Sequence, residues 1–307
     1  MAALRIGTRG SELALWQARE VARLLEQRGI ASSLQIIHST GDKRTDVPLA
    51  QIGGKGLFVK ELEEALIEQR IDLAVHSLKD VPSTLDDTFA LTAFLERADP
   101  RDAWFHPAGL PIVDLPAGAV VGTSAPRRAA QIRHRFPRLE TRPIRGNVPT
   151  RIEKMRRGEY DAIVLAVAGV SRLGRAGEIS SIFSIEEMVP AAGQGIVAIE
   201  TLAHRHDLVE ILAGVNHEPS ALAARCERGV LHEFGTNIDC YSSIAVHAQI
   251  GAAGIRLDAF VSNLDGTSAI RETISTPTAS IEHAVKAMAG RLEARGALRI
   301  LTSRETP

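Results

Sequence analysis

The chain has 307 residues, 45% of them hydrophobic and 24% charged, with a formal net charge of -1 at pH 7. This length predicts two or three domains, and the near-neutral charge excludes a general nucleic-acid or membrane binder, which needs a net basic domain or an exposed apolar segment. Two cysteines are too few for a disulfide framework, and neither a signal peptide nor an apolar run of roughly 20 residues is found, so a cytoplasmic protein is expected.

Short apolar runs alternate with amphipathic segments along most of the chain. Strands are predicted at 4–8, 34–39, 71–75, 89–94, 103–105, 119–121, 139–144, 161–167 and 196–200. Helices are predicted from Ser11 to Gly29 and at 57–70, 126–134 and 148–157. This alternation is typical of an α/β protein with mostly parallel sheets.

The first strand ends in Arg9-Gly10-Ser11, at the kind of strand-to-helix junction where α/β proteins place ligand sites. Ser11 also suits the role of a helix N-cap. The polar loop 41–46 and the glycine-rich segment 53–56 lack the GxxxxGK[ST] spacing of a phosphate loop, so we interpret them as a hinge or lid.

An ionisable cluster, His76-Ser-Leu-Lys79-Asp80-Val-Pro82, directly follows the buried strand 71–75. In α/β proteins, catalytic and ligand-binding groups commonly lie at the carboxyl end of a central strand. Two structural alternatives stay open at this point. Lys79 and Asp80 would also suit a surface pair before a proline turn, and His76 would also suit an internally hydrogen-bonded histidine.

Two proline-bearing links, 96–102 and 188–195, flank a basic middle region. We interpret them as the points where the chain leaves a first lobe and returns to it, which predicts two lobes with a cleft between them. Beyond them, a helix at 219–234, strands at 243–247, 256–261 and 268–275, and a helix at 279–295 predict a small α+β domain with an antiparallel sheet.

The stretch from residue 122 to 151 contains eight arginines, no lysine and a single acid, Glu140. Arginine presents a rigid fork of donors that matches a carboxylate or a phosphate. Gly122-Thr-Ser opens the stretch and Gly146-Asn147 closes it, and both patterns are typical of turns at helix starts, where backbone N–H groups attract anions. The alternative is a solvated basic face.

The two cysteines differ in setting. Cys226 has helical spacing from Leu222 and Val230 and is predicted to be buried, whereas Cys240 is predicted to lie in a loop where its thiol is reachable. No HExxH, CxxC, GxSxG or GxGxxG pattern occurs, so zinc, serine-hydrolase and dinucleotide chemistry lack support and no metal is predicted.

Several of these segments together resemble one family. They are IGTRGSELALWQA at the start, GGKGLFVKELEEAL from 53, HSLKDVP from 76, APRR and RGNVPTR in the basic stretch, VAGVSRLG from 167 and PAAGQGIVAIE from 190. In this order they are similar to porphobilinogen deaminases, also called hydroxymethylbilane synthases. The resemblance covers nearly the whole chain and is weakest in the C-terminal third.

The resemblance implies two lobes like those of periplasmic binding proteins and a small α+β domain. The implied domains are 1–95 with 196–214, 101–189, and 218–307. The implied reaction joins four porphobilinogen units head to tail, releases ammonia and frees hydroxymethylbilane for haem and other tetrapyrroles. A covalent dipyrromethane cofactor primes the chain, and the enzyme is expected to be a monomer that binds no nucleic acid and no membrane.

The resemblance also assigns roles to individual residues. Asp80 is the implied catalytic residue, which hydrogen-bonds pyrrole N–H groups and stabilises the methylene-pyrrole cation left by loss of ammonia. The residues implied to bind the cofactor and substrate are Arg9, Ser11, Lys79, Thr123, Ser124, Arg127, Arg128, Arg145, Arg151, Arg172 and Gln194. Lys55 and Phe58 fall in the family's mobile loop.

Cys240 matches the cysteine that carries the cofactor through a thioether. Its flanks, Asn237-Ile-Asp and Tyr241-Ser-Ser, depart from the family's usual glycines and Gln-x-Pro, whereas the following Ser-Ile-Ala-Val-His-Ala restores the register. A rival hypothesis is a two-lobed anion-binding protein without catalysis, which would keep the arginines but would not need Asp80 or a reachable cysteine.

Overall fold

The structure is a computed structural model that describes residues 3–38, 59–235, 242–277 and 280–302. The chain divides into two compact units. The first combines the chain up to Ala98 with Gly195–Ala224, and the second combines Asp99–Gln194 with the chain from Arg225 onward. The division into three domains stays a prediction.

The strands are β1 Leu4–Thr8, β2 Ser32–Ile36, β3 Leu73–Ser77, β4 Phe89–Phe94, β5 Asp102–Phe105, β6 Val120–Gly122, β7 Glu140–Arg142, β8 Ala162–Ala166, β9 Ser181–Ile182, β10 Val197–Leu202, β11 Ser243–Gly251, β12 Gly254–Ser262 and β13 Ala269–Thr276. The helices are α1 Glu12–Glu26, α2 Lys60–Ile67, α3 Pro126–Arg135, α4 Val148–Arg156, α5 Val167–Arg172, α6 His206–Ala213, α7 Glu218–Glu233, α8 Ile281–Ala294 and α9 Ala297–Thr302. Within the described residues, no helix is both long enough and apolar enough to cross a membrane.

The first unit contains a five-stranded sheet in the order β2-β1-β3-β10-β4. β1 pairs in parallel with β2 and β3, whereas β10 pairs antiparallel with β3 and β4. One face packs against α1 and α6 through a core that includes Ile6, Val21, Leu73 and Ile199. Leu73 and Val75 of β3 face this core, whereas Ala74 belongs to the cluster around Leu62 and Leu66, as expected of a central strand covered on both sides.

The second unit contains a five-stranded sheet in the order β7-β6-β8-β5-β9. β6 pairs in parallel with β7 and β8, and β5 pairs antiparallel with β8 and β9. Trp104 and Phe105 of β5 are both fully buried and point into the cores on opposite faces of this sheet. Helix α3 covers one face, and Pro126 at its start has the fixed φ that suits the first turn of a helix.

The same unit contains an antiparallel sheet in the order β11-β12-β13, with α8 and α9. Helix α3 contacts this sheet through a small apolar cluster of Ala130, Val189, Ala245 and Phe260. The arginine-bearing helix is therefore packed directly on the C-terminal sheet.

The α/β class and the small antiparallel C-terminal sheet are confirmed. The two larger sheets are more mixed than predicted, since each has two parallel and two antiparallel pairings. β5 and β10 are the first strands after the chain enters the second unit and returns to the first, so neither is joined to its sheet neighbours by the crossover helix that usually connects parallel strands. Helix α2 ends at Ile67, three residues earlier than predicted, because Gln69 adopts a left-handed conformation with φ 55°.

Candidate active site

In the first unit, four of the predicted site residues lie at one edge of the sheet. β1 and β3 are parallel neighbours, so the segments after their carboxyl ends emerge side by side. Arg9 and Ser11 follow β1, and Lys79 and Asp80 follow β3. The Ser11 hydroxyl accepts the N–H of Ala14 at 3.3 Å, so this side chain caps α1, as its pattern also suggested.

Asp80 is the last residue of a single 3₁₀ turn, Leu78–Asp80, that continues directly from β3. Leu78 and Val81 on either side of the charged pair are buried, whereas Lys79 and Asp80 are exposed. Within the described part of the chain, Asp80 forms no hydrogen bond or ion pair with another residue. The buried anchors therefore fix the backbone of the turn while its carboxylate stays accessible to a ligand.

The turn is supported by a buried contact that the sequence did not indicate. The Gln17 side-chain amide in α1 donates to the Ser77 hydroxyl at 2.7 Å, and Gln17 is 2% exposed. This bond joins the first helix to the last residue of β3, one residue before the turn that carries Asp80. The sequence placed Gln17 on an ordinary amphipathic helix, and a single glutamine at a buried position gives no signal of its partner.

His76 is internally hydrogen-bonded, which was the structural alternative considered for it. Its Nε2 lies 2.9 Å from Oε2 of Glu200, and both side chains are buried. His76 and Ala198 are opposite each other where β3 pairs with β10, so the contact joins the two central strands. It stabilises the sheet that presents Asp80.

In the second unit, the predicted residues again share one sheet edge. β6, β7 and β8 run parallel, and the segments that follow them contain most of the predicted set. These residues are Thr123, Ser124, Arg127 and Arg128 after β6, Arg145 and Arg151 after β7, and Arg172 after β8. β5 runs the other way and begins at this edge, with Asp102 opposite Ala166.

Arg127 and Arg128 are buried and both bind the carboxylate of Asp102. Arg127 donates from Nη1 to Oδ2 at 2.6 Å and from Nη2 to Oδ1 at 3.1 Å. Arg128 donates from Nε and Nη2 to Oδ1 at 3.0 and 2.7 Å. Burial alone would raise the pKa of Asp102, but the two guanidinium charges and their hydrogen bonds outweigh it and hold this pKa well below its usual range.

Gln194 completes this buried cluster. Its amide nitrogen donates to Oδ1 of Asp102 at 2.8 Å and to the Pro100 carbonyl at 2.7 Å, and its amide oxygen accepts from Nη2 of Arg127 at 3.0 Å. The backbone beside it is fixed by Glu227, whose carboxylate accepts the Gly193 N–H at 2.6 Å and the Ala248 N–H at 2.7 Å. Glu227 thus joins α7 to the Gly193–Gln194 turn and to β11.

The remaining predicted residues of this unit lie on connected turns. The Ser124 hydroxyl donates to the Ile144 carbonyl at 2.6 Å and accepts the Ile144 N–H at 3.0 Å, so it fixes the backbone next to Arg145. Arg151 donates from Nε to the Gly146 carbonyl at 2.7 Å. Gly146 has φ +113°, which explains the glycine at this turn. Arg145, Arg151 and Arg172 are all half-buried.

The structure therefore brings Arg127, Arg128 and Gln194 together and adds Asp102, a residue that the sequence assigned only to a charged link. Asp102 carried no signal because a carboxylate in a proline-bearing, charged segment has the pattern of a solvated loop. Lys55, Phe58 and Cys240 lie outside the described residues. Ligand contact by any of the predicted residues stays a prediction.

Cys226 lies on α7 and is fully buried, as its spacing predicted. Burial, with a smaller contribution from the charge of Glu227, raises the pKa of its thiol to about 11. A thiol with this pKa is protonated at neutral pH and is a poor nucleophile.

Comparisons with known proteins agree with these features. The model of the family described as "Porphobilinogen deaminase, dipyromethane cofactor binding domain" matches residues 4–210. A porphobilinogen deaminase of Geobacter metallireducens is 46% identical over 97% of this chain and 93% of its own length. A porphobilinogen deaminase of Ralstonia nicotianae is 48% identical over 91% of this chain and 84% of its own length.

Among solved structures, the methionine binding protein MetQ aligns over 73% of this chain and 94% of its own, with 11% identity and a TM-score of 0.46. A likeness at this level carries no argument about function. The family model and the sequence relatives do carry such an argument, because the model matches most of the chain and the relatives are similar to it over nearly its whole length. On that basis the chain belongs to the porphobilinogen deaminase family.

Proposed function

We propose that this chain uses Asp80 as its catalytic residue, Cys240 as the attachment point of its cofactor, and the residues at the two sheet edges to hold the carboxylates of the cofactor and substrate. Arg9, Ser11 and Lys79 serve this purpose in the first unit. In the second unit the same purpose is served by Thr123, Ser124, Arg127, Arg128, Arg145, Arg151, Arg172 and Gln194. Lys55 and Phe58 belong to a mobile loop in this proposal.

The enzyme is a transferase of tetrapyrrole biosynthesis. It joins porphobilinogen units head to tail into hydroxymethylbilane, and ammonia leaves at each addition. A bound dipyrromethane supplies the free pyrrole carbon from which the chain grows. The residues of the protein bind, orient and stabilise charge around this chemistry.

The observation that carries the proposal is the setting of Asp80. When the aminomethyl group of porphobilinogen loses ammonia, the methylene-pyrrole that remains is positively charged. An accessible carboxylate on a turn fixed by buried neighbours stabilises that charge and accepts hydrogen bonds from pyrrole N–H groups without reorganising first. Arg9 and Lys79, at the same sheet edge, supply cations for the carboxylates of the substrate.

The donor set of the second unit fits a dipyrromethane, each pyrrole of which carries an acetate and a propionate. Arg145, Arg151 and Arg172 lie half-buried at one sheet edge, close in the fold to the buried pair Arg127 and Arg128. Partial burial strengthens a charge-assisted hydrogen bond because water screens it less. Several arginines suit a chain of carboxylates better than lysines would, because each guanidinium can donate two parallel hydrogen bonds to one carboxylate.

Cys240 as the attachment point is supported by the chemistry of the other cysteine. The chain has two cysteines, and Cys226 is buried with its pKa raised to about 11. Attachment through a thioether requires a reachable sulfur, which Cys226 does not offer. The proposal extends to a monomer, which the family resemblance favours, and to the cytoplasm, which the low cysteine content supports.

The decisive experiment is intact mass measurement combined with an assay of bilane formation from porphobilinogen. The wild-type protein is expected to exceed its sequence mass by two linked pyrrole units and to form the bilane. Cys240→Ala is expected to lose both the added mass and the activity, whereas Cys226→Ala keeps both. Unmodified wild-type protein without bilane formation would refute the proposal and favour a non-catalytic anion-binding protein.

A further inference from the structure

The buried cluster of Arg127, Arg128 and Asp102 is not balanced in charge. Asp102 is fully buried and each arginine side chain is 6% exposed. Two guanidinium groups meet one carboxylate, so one positive charge is left over among these three side chains. Burial of an unbalanced charge is costly unless an anion accompanies it.

The hydrogen bonds of the two arginines show how much donor capacity is left. A guanidinium has five N–H donors. Arg127 uses Nη1 on Asp102 and the Val189 carbonyl, and Nη2 on Asp102 and Gln194. Arg128 uses Nε on Asp102, Nη1 on the Val164 carbonyl, and Nη2 on Asp102 and Gln194. These contacts within the described chain leave the Nε donor of Arg127 and one Nη1 donor of Arg128.

Gln194 does not change this balance. It is neutral, its amide nitrogen is bonded to Asp102 and Pro100, and its amide oxygen accepts from Arg127. Its backbone is held by the contact between Gly193 and Glu227. It therefore fixes the orientation of Asp102 and Arg127 without contributing a charge.

We propose that Asp102 is a positioning residue that balances one of the two buried charges, aims the two guanidinium groups and leaves them able to take a single carboxylate. This inference rests on the proposed function, which supplies that carboxylate from either the dipyrromethane or the incoming porphobilinogen. The remaining charge of one and the remaining donor on each arginine both match one carboxylate with two oxygens. A pair of arginines without Asp102 would have two charges and most of its donors unfilled.

The test compares wild-type holoenzyme, Asp102→Asn and the matched control Asp258→Asn. Asp258 is also a buried carboxylate bound to an arginine, Arg256, but it belongs to the C-terminal sheet. For each variant the folded fraction is collected by size exclusion and measured twice, by intact mass for the fraction carrying two pyrrole units and by steady-state kinetics for KM and kcat. The Asp258 variant is expected to load and bind as the wild type does.

If Arg127 and Arg128 bind a carboxylate of the dipyrromethane, we expect Asp102→Asn to lower the loaded fraction of folded protein about tenfold or more. If the two arginines instead bind a carboxylate of the incoming porphobilinogen, we expect Asp102→Asn to leave loading unchanged and to raise KM about tenfold, with a smaller change in kcat. Loading and KM both within about twofold of wild type would overturn the inference, because a merely structural Asp102 lowers only stability.

If Asp102→Asn does not fold, Asp102→Glu takes its place, because it keeps the buried negative charge but displaces the carboxylate from the two guanidinium groups by one methylene. This variant is expected to fold and to show the same loss of loading or of substrate affinity. Wild-type loading and KM in Asp102→Glu would overturn the inference. Wild-type protein that carries no pyrrole units and forms no bilane would instead refute the proposed function.

Discussion

Asp80 is an exposed carboxylate on a backbone turn that is fixed by buried neighbours. Exposed carboxylates such as Glu68 and Glu153 pair with arginines close by in the chain, Arg70 and Arg157. Asp80 instead stands on a turn whose neighbours Leu78 and Val81 are buried. This combination of a fixed backbone and an uncommitted carboxylate is what a charge-stabilising group needs.

We expect Asp80→Asn to lower kcat by about 10²–10⁴-fold with a smaller effect on KM, because an amide neither stabilises a cation nor accepts a proton as a carboxylate does. Steady-state bilane formation measures this. Asp87→Asn, an exposed carboxylate in the same segment, is the control and is expected to keep wild-type kcat. Equal kcat in the two variants would contradict the assignment.

The lowered pKa of Asp102 makes a specific prediction about acid stability. Its ordinary value is about 3.9, and the two guanidinium groups hold it lower in the folded protein. A depressed pKa gives stability that is present above the unfolded value and lost as the pH falls through the folded value. Asp102→Asn is therefore expected to be less stable than wild type by about 3–5 kcal/mol near neutral pH.

That gap is expected to narrow as the pH falls below about 4, because the Asp102 carboxyl of the unfolded wild type then binds a proton while the folded protein still keeps it ionised. Urea unfolding of both proteins from about pH 7 down to about pH 3 measures it. A gap that stayed constant over this range would show that the charge of Asp102 does not stabilise the fold.

Among the secondary-structure elements, α1 acts on the site through one buried bond. Gln17→Ala is expected to cost about 1–3 kcal/mol of unfolding free energy and to lower kcat, because Ser77 loses its partner one residue before the turn with Asp80. Glu26→Ala, at the exposed end of the same helix, is expected to cost less than about 1 kcal/mol. Urea unfolding and kcat of the two variants test this difference.

Helix α7 fixes the Gly193–Gln194 turn and β11 through a single carboxylate. Glu227→Ala leaves two buried N–H groups, those of Gly193 and Ala248, without this acceptor, and each such group costs about 1–3 kcal/mol. Glu233→Ala, at the exposed end of the same helix, is expected to stay within about 0.5 kcal/mol of wild type. Similar urea midpoints for the two variants would contradict the role of Glu227.

The sequence predicted the elements well where turn residues bound an apolar segment, as at β1 and α3, but it placed β3 two residues too early, since His76 and Ser77 belong to the strand. It did not predict the antiparallel direction of β5 and β10, because a buried strand has the same pattern whichever way it runs. It identified residues whose chemistry is visible in a motif, such as Asp80. It missed Gln17, Asp102 and Glu227 because their roles depend on partners 60, 25 and 34 positions away.

At the scale of the whole molecule, a net charge of -1 coexists with eight arginines in residues 122 to 151. We expect the KM for porphobilinogen to rise several-fold between low salt and about 0.5 M salt, with a smaller change in kcat, because screening weakens exposed and half-buried carboxylate contacts. Arg135→Gln, which removes an exposed arginine near Glu187, is expected to show the same salt response as wild type. A KM independent of salt would contradict electrostatic capture of the substrate.

The burial of Cys226 has a practical consequence. A thiol with a pKa of about 11 reacts slowly with a disulfide reagent at about pH 8, and the only other cysteine is Cys240. If Cys240 carries the cofactor, its sulfur is a thioether and does not react. Counting fast-reacting thiols in the folded protein would then give the fraction of molecules that have not yet received their cofactor, without the need for a substrate.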